Sequence, residues 1–119
     1  MRISELSAKT PVSVHRLRRY EAAGFISSKR SPNGYRDYGE KTVRLVVFIS
    51  MSRAMGFSLP FIAEYLPKYQ SGKLTPLEMI EAIQLRVAEI DQSINEQKLL
   101  RKKLIDHIGW FKTKQRKSR

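Results

Sequence analysis

The apolar positions of this chain fall into two regimes. Up to about residue 70 they come in short groups at helical spacing, broken by proline, glycine and charge, and from Thr75 onward they form one long stripe. In residues 1–26 the groups fit two short helices, with Ile3 and Leu6 facing inward from the first and Val14 and Leu17 from the second. Thr10 and Pro11 end the first, because proline restricts its predecessor and has no amide hydrogen to donate. Ser13 offers its hydroxyl to the open amides that begin the second, and Gly24 stops it. Two short helices joined by a tight turn, from Lys9 to Val12, make a helix-turn-helix pattern.

The segment Lys29-Arg30-Ser31-Pro32-Asn33-Gly34-Tyr35-Arg36-Asp37-Tyr38 predicts a β-hairpin wing. Asn-Gly favours a turn needing positive φ, and aromatic residues alternate with charges on the return strand. From Val43 a further helix is expected, with Val46, Val47, Ile49 and Ala54 in the core and Met51 and Met55 filling gaps beside them. Gly56 ends it, Ser58 caps a fourth helix that holds Ile62 and Leu66, and Pro67 is expected to close that one.

A long helix begins at Thr75-Pro76-Leu77-Glu78, which combines a capping hydroxyl, proline at the first helical position and glutamate at the third. It is expected to run to about Ile108, a rod of roughly 50 Å at about 1.5 Å per residue. Along it Ile80, Ile83, Val87, Ile90, Ile94, Gln97, Arg101, Leu104 and Ile108 alternate steps of three and four, the spacing of a coiled-coil seam. Such a rod cannot bury its full seam against a head of some seventy residues, so a second copy of the chain is the simplest partner. Gln97 and Arg101 weaken the pairing and fix its register, unless the seam frays beyond Ile94 and leaves both in water. Beyond Gly109, Trp110 and Phe111 are expected to pack on the dimer or touch an effector, and the basic tail after them is expected to be disordered. The organisation is thus a mainly α chain: a winged helix-turn-helix head over 1–72 with a small β-hairpin, a coiled-coil dimerisation helix over 73–109, and a basic tail over 110–119.

Charge turns this layout toward a partner. Twenty-three Lys and Arg against eleven Asp and Glu give +12, a field that concentrates polyanions, with double-stranded nucleic acid foremost. No apolar run approaches the roughly 20 residues that span a bilayer, and the first residues lack the apolar centre of a signal peptide, so no membrane partner and a cytoplasmic location are expected. The chain has no cysteine, which removes thiolate metal ligation, disulfide switching and cysteine nucleophiles together. His15 and His107 are far apart in sequence and read as contact or surface residues, so neither a metal site nor another cofactor is expected. Asp37, Glu40 and Glu64 fall on separate elements, and no catalytic constellation appears; the chain does not read as an enzyme.

The second helix concentrates the candidate contacts. Ser13, His15, Arg16, Arg18, Arg19 and Tyr20 lie around the inward anchor Leu17, and arginine forks suit both guanine edges and phosphates. In the hairpin Lys29, Arg30, Tyr35, Arg36 and Tyr38 can pack on the head or reach the DNA backbone, with Arg36 and one tyrosine expected on phosphates. Arg53 marks a second basic corner before Gly56.

Several of these pieces, in this order, resemble the MerR family of transcriptional regulators. The matching residues are Ile3-Ser4-Glu5-Leu6-Ser7, then Val12-Ser13 with Leu17-Arg18-Arg19-Tyr20-Glu21 and Gly24, then Asn33-Gly34-Tyr35-Arg36-Asp37-Tyr38 and Gly56-Phe57-Ser58-Leu59. The resemblance implies a homodimer whose long helices pair antiparallel, each head on half of a palindromic operator, activating by distorting the promoter so that RNA polymerase can engage both of its elements. It further implies Arg18 and Tyr20 on the DNA backbone, His15 and Arg16 at base edges, and Tyr35, Arg36 and Arg53 on flanking phosphates. Arg16 and Arg19 depart from the small polar residue and the aromatic common there, and Pro60 and Phe61 replace a frequent acidic pair. The family's metal-sensing and thiol-sensing branches use cysteines near or beyond the long helix, and with none here the usual copper, zinc, mercury or iron-sulfur sensing is not expected. About eleven residues after the helix leave no room for a separate drug-binding domain, and the small-molecule effector stays undefined. The competing reading is an architectural protein that bends DNA without an inducer.

Overall fold

The structure, a computed structural model, describes residues 1–117. The elements in chain order are α1 (Ile3–Lys9), α2 (Val14–Ala22), β1 (Lys29–Arg30), β2 (Arg36–Asp37), α3 (Glu40–Ala54), α4 (Leu59–Gln70) and α5 (Pro76–Lys117). They form two compact units, Met1–Thr75 and the segment from Pro76 onward. This is the mainly helical architecture the pattern predicts, with a small antiparallel hairpin and a long C-terminal helix. No helix among the described residues is long and apolar enough to cross a membrane.

In the first unit Leu6, Leu17, Val46 and Ile49 are fully buried, joined by Tyr20, Phe48, Ile62 and Leu66. The turn between α1 and α2 is held by its own polar groups. The buried Thr10 hydroxyl donates to the Leu6 carbonyl at 2.8 Å and accepts the Val12 amide at 3.1 Å, while Ser7 Oγ donates to the Val12 carbonyl at 2.6 Å. Ser13 caps α2 by accepting the Arg16 amide at 3.1 Å, and Gly24, at φ +83°, ends it. With few open groups left in the turn, the direction of α2 is set locally.

The hairpin pairs Lys29 with Asp37 and Arg30 with Arg36. Its loop differs from a tight Asn-Gly turn: Pro32 and Asn33 occupy the centre of a four-residue turn closed from the Gly34 amide to the Ser31 carbonyl at 2.9 Å. Gly34 alone in this loop takes positive φ, at +81°. Proline presets the first turn position, which moves the left-handed residue one place along.

Three expectations are corrected by packing. Val47 and Met51, expected in the core, are 45% and 50% exposed, and Ala54 is exposed too. The buried face of α3 runs through Leu45, Phe48, Ile49 and Ser52, and helical geometry puts Val47, Met51 and Ala54 on the opposite side. Pro67 does not close α4, which continues to Gln70. The turn beyond it is secured by Tyr69 stacking on Phe48 at 4.1 Å and by the Lys73 amide donating to the Lys68 carbonyl at 2.9 Å, which compensate for the missing proline N–H. Finally, α5 passes through Gly109 and runs to Lys117, so 110–117 is helix and not a disordered tail; Ser118 and Arg119 lie outside the described residues. An interior glycine costs about 1 kcal/mol, too little to stop a helix with good formers on both sides.

Candidate nucleic-acid interface

Because Leu17 and Tyr20 of α2 are turned inward, helical periodicity leaves His15, Arg16, Arg18 and Arg19 exposed. Arg16 and Arg19 border a cleft of about 550 Å³, with Tyr20 and Ala23 on the same wall. Ser50, Arg53 and Ala54 of α3 and Leu59 of α4 form the other wall. Arg53 is held at this corner by donating from Nη1 to the Phe57 carbonyl at 2.9 Å. Three arginines therefore border one cleft that no acidic residue lines, and Arg19 with Arg53 across it suits an anion such as a backbone phosphate.

The wing adds exposed cations at Lys29, Arg30 and Arg36, beside Tyr35 at 54% exposure. Arg2 stacks over the Tyr35 ring at 4.1 Å, and Arg30 Nη1 donates to the Gly34 carbonyl at 3.2 Å. Arg36 Nη1 lies 3.4 Å from Glu21 Oε1 with half of its side chain exposed. Tyr38 differs from its expected role as a candidate DNA contact. It is 1% exposed, and its hydroxyl donates to Glu21 Oε1, so it anchors the wing instead of meeting the duplex. Tyr20 is likewise buried, at 4%, and is among the residues lining the cleft.

Glu21 is the residue that the sequence pattern does not single out. Its carboxylate accepts from Tyr38, from Ser28 Oγ at 2.8 Å and from Arg36, and so ties the end of α2 to the bases of both strands. Burial pushes this carboxyl up, but the bonds from Tyr38 and Ser28 and the charges of Arg36 and Arg30 outweigh it and hold it below its ordinary value of 4.5. Burial first, and then the Glu21 bond and charge, push the Tyr38 hydroxyl above its ordinary 10.0. Met1 completes the base of the wing: its ammonium donates to the Tyr38 carbonyl and its carbonyl accepts the Tyr38 amide, both at 2.8 Å. The one sequence signal for Glu21 is a lone acid closing a helix rich in arginine.

Residues 1–69 of this arrangement match the model of the MerR HTH family of regulatory proteins, and residues 43–107 match the MerR DNA-binding model. The chain belongs to the MerR family. It is therefore a DNA-binding transcriptional regulator. Among curated relatives, the HTH-type transcriptional regulator HmrR of Rhizobium leguminosarum bv. viciae is 33% identical, over 91% of this chain and 83% of that one. A probable heavy metal-dependent transcriptional regulator of Haemophilus influenzae is 36% identical over 86% and 81%. Among solved structures, the transcription regulator PbrR691 of Ralstonia metallidurans, in complex with lead(II), superposes with a TM-score of 0.75. It is 28% identical and covers 89% of this chain and 83% of that one.

The chain has no cysteine. Among the described residues no group of three or more His, Asp or Glu side chains could hold a metal ion. His15 is exposed on α2, and His107 has its Nδ1 2.7 Å from the Lys103 carbonyl on α5.

Along α5 the residues expected to form a seam stand open: Ile80 is 50% exposed, Ile90 41%, Ile94 45% and Leu104 58%, with Ile83, Val87 and Ile108 exposed as well. Gln97 and Arg101 lie exposed in the same stripe.

Proposed function

We propose that this regulator acts as a homodimer on a two-fold symmetric promoter operator. In this reading α2 enters the major groove, with His15 and Arg16 at base edges and Arg18 on phosphate. The wing residues Lys29, Arg30, Tyr35 and Arg36 and the corner at Arg53 grip the flanking backbone. The observation that carries the reading is the exposed face of α2, four basic side chains on a helix whose start is fixed by Ser13 and whose end is tied to the wing by Glu21. Ser13 serves as that cap, and Arg19 joins Arg53 at the cleft.

The exposed seam supports the dimer, and charge supports its antiparallel sense. Residues 76–96 carry Glu78, Glu81, Glu89, Asp91 and Glu96 against Arg86 alone, whereas residues 97–117 carry eight Lys and Arg against Asp106 alone. Parallel pairing would set each half against its own sign; antiparallel pairing sets it against the opposite one. The seam also maps onto itself when reversed about a point between Ile94 and Gln97, which places Ile83 opposite Ile108, Val87 opposite Leu104 and Ile90 opposite Arg101. Activation by DNA distortion, with polymerase as the beneficiary, follows the family pattern. Bending costs on the order of several kcal/mol, which contacts spread over α2, the wing and the Arg53 corner suit. Thiolate ligation, which soft metals select, has no donor in this chain, so a heavy-metal response does not carry over from its relatives.

Footprinting on the DNA upstream of the protein's own gene tests the reading, paired with in vitro transcription from that promoter. A protected palindrome and altered transcript levels are expected. Uniform coverage of unrelated duplexes would replace regulation with an architectural role.

A further inference from the structure

The segment leading into α1 runs beside the wing. The Met1 carbonyl accepts the Tyr38 amide at 2.8 Å, and the Arg2 carbonyl accepts the Leu6 amide at 3.0 Å to begin α1. Backbone bonds on either side thus fix where Arg2 stands. Its guanidinium carbon lies over the ring of Tyr35, 4.1 Å from the centroid, at the exposed side of the hairpin.

This guanidinium is a charge the protein does not use elsewhere. Arg2 is exposed, and among the described residues its side chain makes no hydrogen bond or ion pair. The acids at the base of the wing are engaged with other groups: Asp37 with the Met1 ammonium, and Glu21 with Tyr38, Ser28 and Arg36. A cation on an exposed ring contributes roughly a two- to fivefold factor in an equilibrium constant. That is enough to narrow the positions of a long side chain and too little to hold the wing, whose base is already secured through Tyr38. A guanidinium resting on a ring still offers its N–H fork to an anion, and one that is held in advance loses less freedom on binding.

We propose that Arg2 is a DNA-contacting residue, donating to a backbone phosphate beside the wing from a position set by the Tyr35 ring. It rests on the reading above, in which Tyr35 and the wing grip the flanking backbone: a guanidinium over that ring reaches the same stretch of duplex. Lys29, Arg30 and Arg36 are exposed on the hairpin itself, so Arg2 adds a cation from outside it. The contact belongs to the sequence-independent part of the affinity, which positions the head and scales with the phosphates neutralised.

The test uses the full chain. Arg2→Gln removes the charge and keeps a planar group that fits over the ring, whereas Arg2→Lys keeps the charge; Lys29→Gln reports on the wing. Each is titrated across a salt series against a labelled duplex from upstream of the protein's own gene, with the thermal midpoint checking the fold. For Arg2→Gln the slope of log affinity against log salt is expected to become shallower by about 0.9 per head, about 1.8 per dimer, while Arg2→Lys keeps the wild-type slope. An unchanged slope in Arg2→Gln overturns the proposal. Equal loss in Arg2→Gln and Arg2→Lys overturns it too, since Arg2 would then support the wing without touching DNA. If Lys29→Gln lowers the slope and Arg2→Gln does not, the failure is confined to Arg2; if neither does, the wing's grip on the backbone fails with it.

Discussion

Tyr38→Phe isolates the joint between α2 and the wing. The ring stays buried and its packing is kept, so the change removes one hydrogen bond, from a buried hydroxyl to a carboxylate. Bonds to charged groups contribute about 1.5–3 kcal/mol net, whereas the half-exposed Arg36–Glu21 pair at 3.4 Å is worth about 0–1 kcal/mol. Tyr38, and not Arg36, is therefore the anchor. At a urea m-value of about 1–3 kcal/mol/M the midpoint should fall by about 1 M with m unchanged. Protomer concentration must be held constant, since dimerisation adds to apparent stability. The pH dependence gives a second readout. The Glu21 pKa is depressed in the folded state, so its contribution is fully present above 4.5 and is lost as pH falls through the lower folded value. The gap between wild type and variant should therefore close in acid. A variant within about 0.5 kcal/mol of wild type at neutral pH, or a gap that persists in acid, would refute the reasoning, since the former is the scatter of ordinary surface changes.

Arg18→Ala should weaken binding to every duplex and shallow the salt slope by about 0.9 for each phosphate it leaves without a cation; a change confined to sequence preference would move Arg18 to a base edge. Ile90→Asp should abolish the dimer, because it sets a charge in the apolar seam, and sedimentation showing a dimer at micromolar concentration would refute the seam. Gly34→Ala should cost about 1–2 kcal/mol through backbone strain alone, since φ is +81° and a Cβ there meets nothing within 4 Å. A thermal midpoint equal to wild type would show that the wing turn can rearrange.

The features legible in the sequence were local ones. Caps such as Ser13 and Ser58, the glycines that end helices, and the heptad steps of α5 act within a turn or two of chain, so their physics is complete in a short window. The basic face of α2 followed in the same way, because anchoring Leu17 inward settles where its neighbours point.

Tertiary structure alone decided the rest. Adjacent Val46 and Val47 read alike, and only packing chose Val46 for the core. Likewise Pro67 reads as a helix end until Tyr69 stacks on Phe48, a residue far back in α3. Tyr38 and Glu21 stand seventeen positions apart, too far for periodicity to join them, and bringing them together turned a candidate DNA contact into the post that holds the wing. Sequence determined which elements form and which carry charge, because those choices rest on nearest neighbours. The fold decided which side chains are free to meet DNA, because burial is set by residues distant along the chain.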